Sequence, residues 1–368
     1  MFRKLIPRAL ALCLAGAFPA VTQGATLTSA HFRFTFDESR LSPAAAAAAA
    51  SDAERAYEYN QERFPDPGPP EIRCDLTPDF LGATGYAQPD RRPPRIAVRI
   101  PDLDYLGLDA VYVLRHEVAH VFSRRLASGP MGEGLADYIA GGFGDMPLAP
   151  WWGSALRDAG LWVDPEALFI TGDYPTSAEL DARQRIANYT EPALLLQSLS
   201  DRFGFARVLA FLPDYGRARR TLASNATAAR RRGFRQPDAA AVRSVFEQHF
   251  GRSWTDLCRD WERQMLAAKG TELARRQLIV GQETYAAIRN FEMWLLAQRG
   301  RVEPQRTAAV RRAFTAVNAA IRTQRLEEAE ARLRMAQGLV NELKRPVLVA
   351  RASLGLAPAS NLGQPAGA

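Results

Sequence analysis

A histidine pair with a glutamate between its members has the spacing of a metal site. In the segment His116-Glu-Val-Ala-His120 the two imidazoles are four residues apart, so on a helix they lie on one face and can bind a single ion. Glu117 is offset from that face by one residue, which keeps its carboxylate out of the coordination shell but within reach of a metal-bound water. The motif predicts a metal-activated water with Glu117 as general base. The chain has four histidines, and a chance match is expected in only about a few per thousand such sequences.

An acidic motif on the next predicted helix supplies a third ligand. It reads Met131-Gly-Glu-Gly-Leu-Ala-Asp-Tyr138 and follows a Gly-Pro turn signal. A catalytic zinc is held by three protein groups and keeps a fourth position open for water, and Glu133 is the predicted third group. Asp137 lies one turn further on, where it can accept the free ring N–H of a ligating histidine. We therefore expect one Zn²⁺ per chain, bound by His116, His120 and Glu133.

Together the two motifs resemble those of the gluzincin metallopeptidases, and most of all those of the peptidase MA-like family of exported bacterial proteins. The resemblance covers roughly residues 27–268 and includes Gly82-Ala-Thr-Gly-Tyr before the first motif, with Tyr189-Thr-Glu-Pro-Ala and Phe250-Gly-Arg-Ser-Trp after the second. It implies a zincin-like fold and hydrolysis of peptide bonds in a peptide or protein substrate. One departure is that twelve residues separate the second histidine from the glutamate, fewer than in the thermolysin-like and aminopeptidase branches.

The same resemblance implies a hydrogen-bond donor for the oxyanion that develops during hydrolysis. Related gluzincins often place a tyrosine or a histidine there, which makes Tyr189 the predicted donor and His249 the alternative. A tyrosine that packs at the start of its helix and a structural histidine beside an aromatic residue are the plainer interpretations of these two residues. No Gly-x-Met-x-Asn signature precedes the first motif, so the sequence leaves exopeptidase and endopeptidase action open.

The length and the first residues indicate an exported protein of more than one part. At 368 residues, 47% of them hydrophobic, the chain can bury a large core but exceeds the usual size of one domain. Three basic residues precede an apolar run, residues 9–20, that is too short to span a bilayer, as in a bacterial signal peptide over residues 1–24. We expect a periplasmic or secreted protein with no stable membrane span after cleavage. An uncleaved N-terminal anchor is the alternative.

Charge and cysteine content argue against some classes of function. Without residues 1–24 the chain loses three basic groups and no acidic ones, so its formal net charge falls from +7 to +4. Much of that charge lies in Arg217–Arg235, where Phe234 is the one aromatic residue, so we predict a solvated loop and no nucleic-acid partner. Cys74 and Cys258 remain, and an oxidising compartment would let them pair if the fold brings them together.

Hydrophobic periodicity predicts an α+β fold with strands early and helices late. The predicted strands are 31–36, 71–76, 82–88 and 95–100, and the predicted helices are 43–64, 108–126, 131–139, 188–202, 206–212, 239–250 and 253–268. Residues 82–88 suit an edge strand, beside which a substrate peptide can bind as an added antiparallel strand. The predicted peptidase domain, residues 25–268, thus has a small mixed sheet, an active-site helix and a mainly helical C-terminal part.

Long charged helices are predicted beyond residue 270. Apolar residues recur at helical spacing on both sides of Arg299-Gly-Arg-Val-Glu-Pro304, which predicts a helical hairpin appended over residues 271–347. Such an apolar stripe more often packs against its own protein than against another one, and a protein partner of the hairpin stays the alternative. Residues 354–368 are rich in Ala, Pro and Gly and are predicted to be disordered.

Two other functions are compatible with the metal motif. One is a catalytically inactive, zinc-stabilised scaffold of the cell envelope, against which Glu117 argues, because a structural zinc site has no use for a base. The other is a zinc amidase that acts on cell-wall peptides, since the motif specifies water activation and not the acyl group. A module that binds acidic polymers through Arg217–Arg235 is the weakest alternative.

Overall fold

A mixed sheet of five strands forms the N-terminal part of the fold. The computed structural model describes residues 24–124, 126, 129–143, 146–172, 181–232, 239–298 and 302–353. The strands of this sheet are β1 (Ala25–Thr28), β2 (Phe32–Phe36), β3 (Ile72–Asp75), β4 (Gly85–Gln88) and β5 (Arg95–Val98). They lie in the order β1-β2-β3-β5-β4. The central three are parallel, and β1 and β4 run antiparallel to their neighbours. The predicted α+β class with a small mixed sheet is confirmed.

Helices make up most of the remaining chain. They are α1 (Pro43–Gln61), α2 (Leu103–Leu106), α3 (Ala110–Ser123), α4 (Pro130–Ala140), α5 (Trp151–Asp158), α6 (Ala182–Arg185), α7 (Glu191–Phe203), α8 (Phe205–Arg232), α9 (Ala240–Phe250), α10 (Trp254–Ala267), α11 (Glu272–Gln298), α12 (Pro304–Arg322) and α13 (Leu326–Ser353). Two π-helical turns, Glu166–Thr171 and Ile186–Thr190, and a two-stranded ribbon of β6 (Gly142–Phe143) and β7 (Met146–Pro147) complete the list of main elements. Among the described helices, none combines the length and the apolar character that crossing a bilayer requires.

Capping side chains determine where the first long helices begin. Ser42 Oγ accepts a hydrogen bond from the backbone N–H of Ala45 at 3.2 Å, and a proline occupies the first turn of α1, as predicted. The carboxylate of Asp109 caps α3, accepting from the backbone N–H of Tyr112 at 2.7 Å, so this helix starts two residues later than predicted. α3 packs against α1, α4, β4 and β5. Its position between sheet and helices buries the residues of the histidine motif.

A hydrogen-bonded carboxylate ties α1 to the turn between β1 and β2. Glu54 accepts hydrogen bonds from the hydroxyl of Ser29 and from the backbone N–H of His31 at 2.8 Å, and its second oxygen lies 2.7 Å from His31 Nδ1. Partial burial raises the pKa of Glu54, but these hydrogen bonds outweigh it and hold the pKa below its usual value. The ionised carboxylate therefore stabilises the folded state.

The Arg-rich segment is helical, and the prediction of a loop there is wrong as far as Arg232. It continues α8, which contains Pro213 and runs well past the predicted end at residue 212. Arginine and alanine are both strong helix formers, so the composition that resembles a solvated loop also favours an exposed helix. Residues 233–238, which include the end of this segment, lie outside the described residues.

In the described part of the chain, three helices follow residue 271, where a hairpin of two was predicted. The second predicted helix is divided into α12 and α13 at Gln324, whose φ of +56° is left-handed, and the N–H of Arg325 donates to the carbonyl of Ala320 at 2.9 Å. These helices are not detached from the rest, since α12 packs against α2 and α11 packs against α5 and α6. The division into a peptidase domain and an appendage stays a prediction, as do the signal peptide and the disordered tail, because residues 1–23 and 354–368 lie outside the described part.

Cys74 and Cys258 are both free thiols. Cys74 is buried in β3, and Cys258 is half-buried on α10. Burial raises the pKa of Cys258 to about 12 and that of Cys74 well above its usual value. Neither thiol is therefore a reactive thiolate near neutral pH.

Candidate functional site

The two histidines of the first motif meet on one face of α3. Their ring centroids are 4.8 Å apart, and the two Nε2 atoms lie 3.2 Å from one another. His116 is buried and His120 is half-buried, so the pair sits at the boundary between the core and a cavity. The one-turn spacing predicted from the sequence thus directs both Nε2 atoms to the same point.

Glu133 comes from α4 and faces the same two nitrogens. The chain turns back after α3 through Gly129, whose φ of +60° is a left-handed conformation that glycine adopts without strain, and Pro130 opens α4. This return places Oε2 of Glu133 3.3 Å from Nε2 of His116 and 3.4 Å from Nε2 of His120. The three predicted ligands therefore converge, and they are a group that could hold a metal ion.

The donor atoms have the separations that a tetrahedral zinc requires. Ligand atoms about 2.0–2.1 Å from a tetrahedral ion are about 3.3–3.4 Å apart, and the three measured separations are 3.2, 3.3 and 3.4 Å. Two imidazoles and one carboxylate are also a donor set that zinc accepts in catalytic sites. The residues present therefore fit the ion that the sequence predicts.

Asp137 orients the ring of His116 through the nitrogen that does not face Glu133. Its Oδ1 lies 2.8 Å from Nδ1 of His116 and accepts a second hydrogen bond from the hydroxyl of Tyr112 at 2.7 Å. With Nδ1 donating to Asp137, the lone pair of His116 is on Nε2, which points at the other two donors. Burial lowers the pKa of His116, but the hydrogen bonds with Asp137 and Glu133 outweigh it and raise the pKa well above its usual value, so a metal ion that binds at Nε2 has to displace a proton there.

Glu117 lies beside these donors under strand β4. Its side chain is buried, and a β-carbon placed on Gly85 would be 2.2 Å from its Oε1, so the strand passes directly over the carboxylate. Burial raises the pKa of Glu117 above its usual value, against the neighbouring histidines, which lower it. A carboxylate with a raised pKa is a better proton acceptor than a solvated one.

Tyr189 lies near His116, in the second π-helical turn. Its ring centroid is 6.2 Å from that of His116, and both residues line one cavity of about 300 Å³ together with Glu117, His120 and Glu133. The charge of Glu133 and burial both raise the pKa of Tyr189, so its hydroxyl stays protonated near neutral pH. The residue is thus placed as a potential hydrogen-bond donor to a group in the cavity.

His249, the alternative donor, is elsewhere in the fold. Its Nε2 lies 3.0 Å from Oδ2 of Asp214 on α8, and its ring packs against Phe211. It is not among the residues that line the cavity. The plainer interpretation, a histidine that joins α9 to α8, agrees with this position.

The cavity has a wall that the sequence did not predict. Tyr285 and Arg289 from α11 and Arg185 from α6 line it together with residues of β4. The spacing of Tyr285 and Arg289, one helical turn apart, is the one signal that places them on a common face, and it does not indicate chemistry. Their contribution depends on a contact between segments about 200 residues apart in the chain, such as that of Thr84 Oγ1 with the Tyr285 hydroxyl at 2.6 Å.

A buried ion pair fixes α11 in this position. Arg99, at the end of β5, forms two hydrogen bonds of 2.8 Å with Glu292 of α11, and both side chains are fully buried. Glu292 also accepts from the backbone N–H of Gly82 at 2.9 Å, and Arg99 donates to the carbonyl of Ala83 at 3.0 Å. The segment that leads into β4 is therefore held by α11, which makes the third-last helix part of the cavity's framework.

Comparisons with protein-family models and with curated proteins give no match for this chain. No protein-family model matches it, and no curated protein is significantly similar to it. A function is therefore inferred from the side chains of the site itself.

Proposed function

We propose that this protein is a zinc-dependent hydrolase of peptide bonds, of the gluzincin type and akin to the peptidase MA-like family, that acts after export from the bacterial cytoplasm. The observation that carries the proposal is the convergence of His116, His120 and Glu133, at 3.2–3.4 Å from one another, beside the buried carboxylate of Glu117. A structural zinc site is usually closed by four protein ligands. Three ligands that face a cavity next to a base suit hydrolysis better.

The residues of the chain have separate tasks in this proposal. When bound by these three ligands, a zinc ion supplies Lewis acidity and lowers the pKa of a water toward about 7. Glu117 accepts the proton of the attacking water and later delivers it to the leaving amine nitrogen, and its raised pKa suits both transfers. The Tyr189 hydroxyl donates a hydrogen bond to the developing oxyanion, while Asp137 keeps the His116 ring in one tautomer and orientation.

The substrate is proposed to bind along β4. This strand is at the edge of the sheet, with β5 as its one neighbour among the described strands, and the side chain of its own Tyr86 is exposed. An extended peptide can add there as a further antiparallel strand and satisfy its backbone hydrogen bonds without particular side chains. Bulky residues at Ala83 or Thr84, which line the cavity just before β4, should then raise KM, and unchanged kinetics would count against this binding mode.

Metal analysis combined with a peptide-library cleavage assay tests the proposal. Wild type, Glu117→Gln and Glu247→Gln are compared, the last being an exposed glutamate on α9 that serves as a matched control. We expect about one zinc per chain in all three proteins, with cleavage by wild type and the control and none by Glu117→Gln. Zinc in all three without cleavage of any peptide would favour the scaffold, and cleavage confined to cell-wall peptides would favour the amidase.

A further inference from the structure

Two arginines face the candidate site without an acidic partner. Arg185 and Arg289 both line the cavity that contains the three ligand residues. Among the described residues, no carboxylate lies within 4.0 Å of either guanidinium, although about half of the other described arginines contact one. A charge taken out of water without an opposite charge is costly, so two guanidinium groups that line one cavity and have no carboxylate partner among the described residues point to an anionic ligand.

Arg185 is held rigidly by aromatic rings. It is 3% exposed, and its guanidinium carbon lies 4.0 Å from the ring centroid of Tyr285 and 4.5 Å from that of Phe143. Its Nε donates to the side-chain carbonyl of Gln282 at 2.9 Å. Within the described part of the chain, its two terminal nitrogens have no hydrogen-bond acceptor, which leaves the forked end of the guanidinium for a ligand.

Arg289 approaches the same place from α11. Its Nη1 lies 3.3 Å from the hydroxyl of Tyr285, and its buried Nε has no hydrogen-bond partner among the residues that the structure describes. Burial raises the pKa of Tyr285, yet the charges of Arg289 and Arg185 outweigh it and lower the pKa below its usual value. The potential around the Tyr285 hydroxyl is therefore positive.

Arg99 shows what a purely structural buried arginine looks like in this protein. Its guanidinium is neutralised by Glu292 and by Asp102, at 2.8 Å each, and it also donates to a backbone carbonyl. Arg185 and Arg289 have no such set of acceptors among the described residues. Arg99 therefore has a structural role, whereas the terminal nitrogens of Arg185 and Arg289 are suited to bind an anionic ligand.

We propose that Arg185 and Arg289, with the hydroxyl of Tyr285, form a subsite for a carboxylate of the substrate. A planar guanidinium fork matches a carboxylate and binds it with two parallel hydrogen bonds. The ring of Tyr189 is near both groups: its centroid lies 5.3 Å from the Arg185 guanidinium carbon and 6.2 Å from the ring centroid of His116. The bound carboxylate, from a chain terminus or from an acidic side chain, thus lies within a few residues of the bond to be cut. That placement rests on the proposed peptidase function, whereas anion binding itself does not.

Calorimetric titration of the Glu117→Gln protein, which should bind peptides without cutting them, tests the subsite. The probes are acetyl-tetraalanine as the free acid and as the carboxamide, together with carboxamide peptides that carry one glutamate, or one glutamine, at each position in turn. We expect the acids to bind about 10- to 100-fold more tightly than their neutral counterparts, as for charge-assisted hydrogen bonds. Preference for the free terminus or for the glutamate peptides identifies which source of carboxylate is used.

Substitution then assigns the preference to the arginines. Adding Arg289→Gln should abolish the preference for acids, and Arg312→Gln, which removes one exposed charge from α12 outside the cavity, should keep it. The preference for acids should also persist after a chelator removes the metal. If the carboxylate bound to the metal instead, the preference would disappear. Thermal melting establishes that each variant is folded, and the comparison of probes on the parent protein needs no further variant.

Four results would each overturn the subsite. Acid and neutral probes bind equally, or neither binds at millimolar concentration. The preference for acids survives the Arg289→Gln substitution, or it disappears when the metal is removed. The peptidase proposal fails separately. If wild type cuts no peptide but acids are preferred, the subsite stands and the peptidase assignment does not. If wild type cuts peptides and the acid and neutral probes bind equally, the peptidase assignment stands and the subsite does not.

Discussion

Replacing Gly85 by alanine tests the position of the general base without touching any ionisable group. Gly85 is in β4, paired with Val98 of β5, and has no left-handed backbone conformation, so alanine is compatible with its backbone. The effect of the new methyl group is therefore steric. It would lie 2.2 Å from Oε1 of Glu117 and 2.6 Å from the carboxyl carbon.

The size of the displacement follows from these distances. An ordinary van der Waals contact is at least 3.4 Å, so the carboxylate and the strand must separate by about 1 Å. The strand has little freedom to move, since the hydroxyl of neighbouring Thr84 lies 2.6 Å from that of Tyr285. Glu117 must then absorb most of the shift. A misplacement of about 1 Å in a catalytic group costs on the order of 100-fold in rate.

We therefore expect Gly85→Ala to lower kcat/KM on a cleaved peptide by about 100-fold, with wild-type zinc content and a loss of about 1–3 kcal/mol in the free energy of unfolding. Gly338→Ala is the matched control, because a β-carbon there meets no atom within 4 Å. It should leave activity unchanged and stabilise α13 by about 0.5–1 kcal/mol. A folded, zinc-loaded Gly85→Ala protein with wild-type kcat/KM would refute the assignment of Glu117 as the base in this position.

Three further substitutions test contacts at the site, in its framework and in the N-terminal part of the fold. Asp137→Asn weakens the acceptor for His116 Nδ1 and should lower zinc affinity about 10- to 100-fold in competition with a chelating dye; equal affinity would contradict this role. Glu292→Ala leaves Arg99 buried without its main partner and should lower the free energy of unfolding by about 3–5 kcal/mol in urea, whereas a loss under about 1 kcal/mol would mean that the pair does not fix α11. Glu54→Gln should lower Tm at neutral pH. Because folding lowers the pKa of Glu54, its carboxylate stabilises the folded state at any pH above its usual pKa of 4.5, and this contribution is lost as the pH falls through the lowered pKa. The difference in Tm between wild type and variant should therefore vanish in acid. A difference that does not depend on pH would refute this linkage.

The convergence of His116, His120 and Glu133 was predictable because their geometry is local. Two histidines one turn apart share a face on any helix, and a short turn followed by a second helix brings Glu133 back to them. Ser42 as the N-cap of α1 is likewise a local feature and is confirmed. Sequence alone thus placed the residues whose relations span a few turns of helix.

The wall of the cavity formed by α6 and α11 was not predictable, because its position depends on contacts between residues far apart in the sequence. The hydrogen bonds between Arg99 and Glu292 join residues 193 apart in the chain, and no periodic pattern indicates such a partner. The helical state of the Arg217 segment was missed because charge composition does not separate an exposed helix from a solvated loop. The break at Gln324 was missed because neither glycine nor proline marks it.

Anomalous diffraction at the zinc absorption edge, from crystals of protein purified without added metal, tests the central claim most directly. We predict one strong peak per chain, about 2.0–2.1 Å from Nε2 of His116, Nε2 of His120 and an oxygen of Glu133, with a further position open toward Glu117. Absence of a peak in crystals that have been soaked in zinc, or a peak held by other residues, would contradict it.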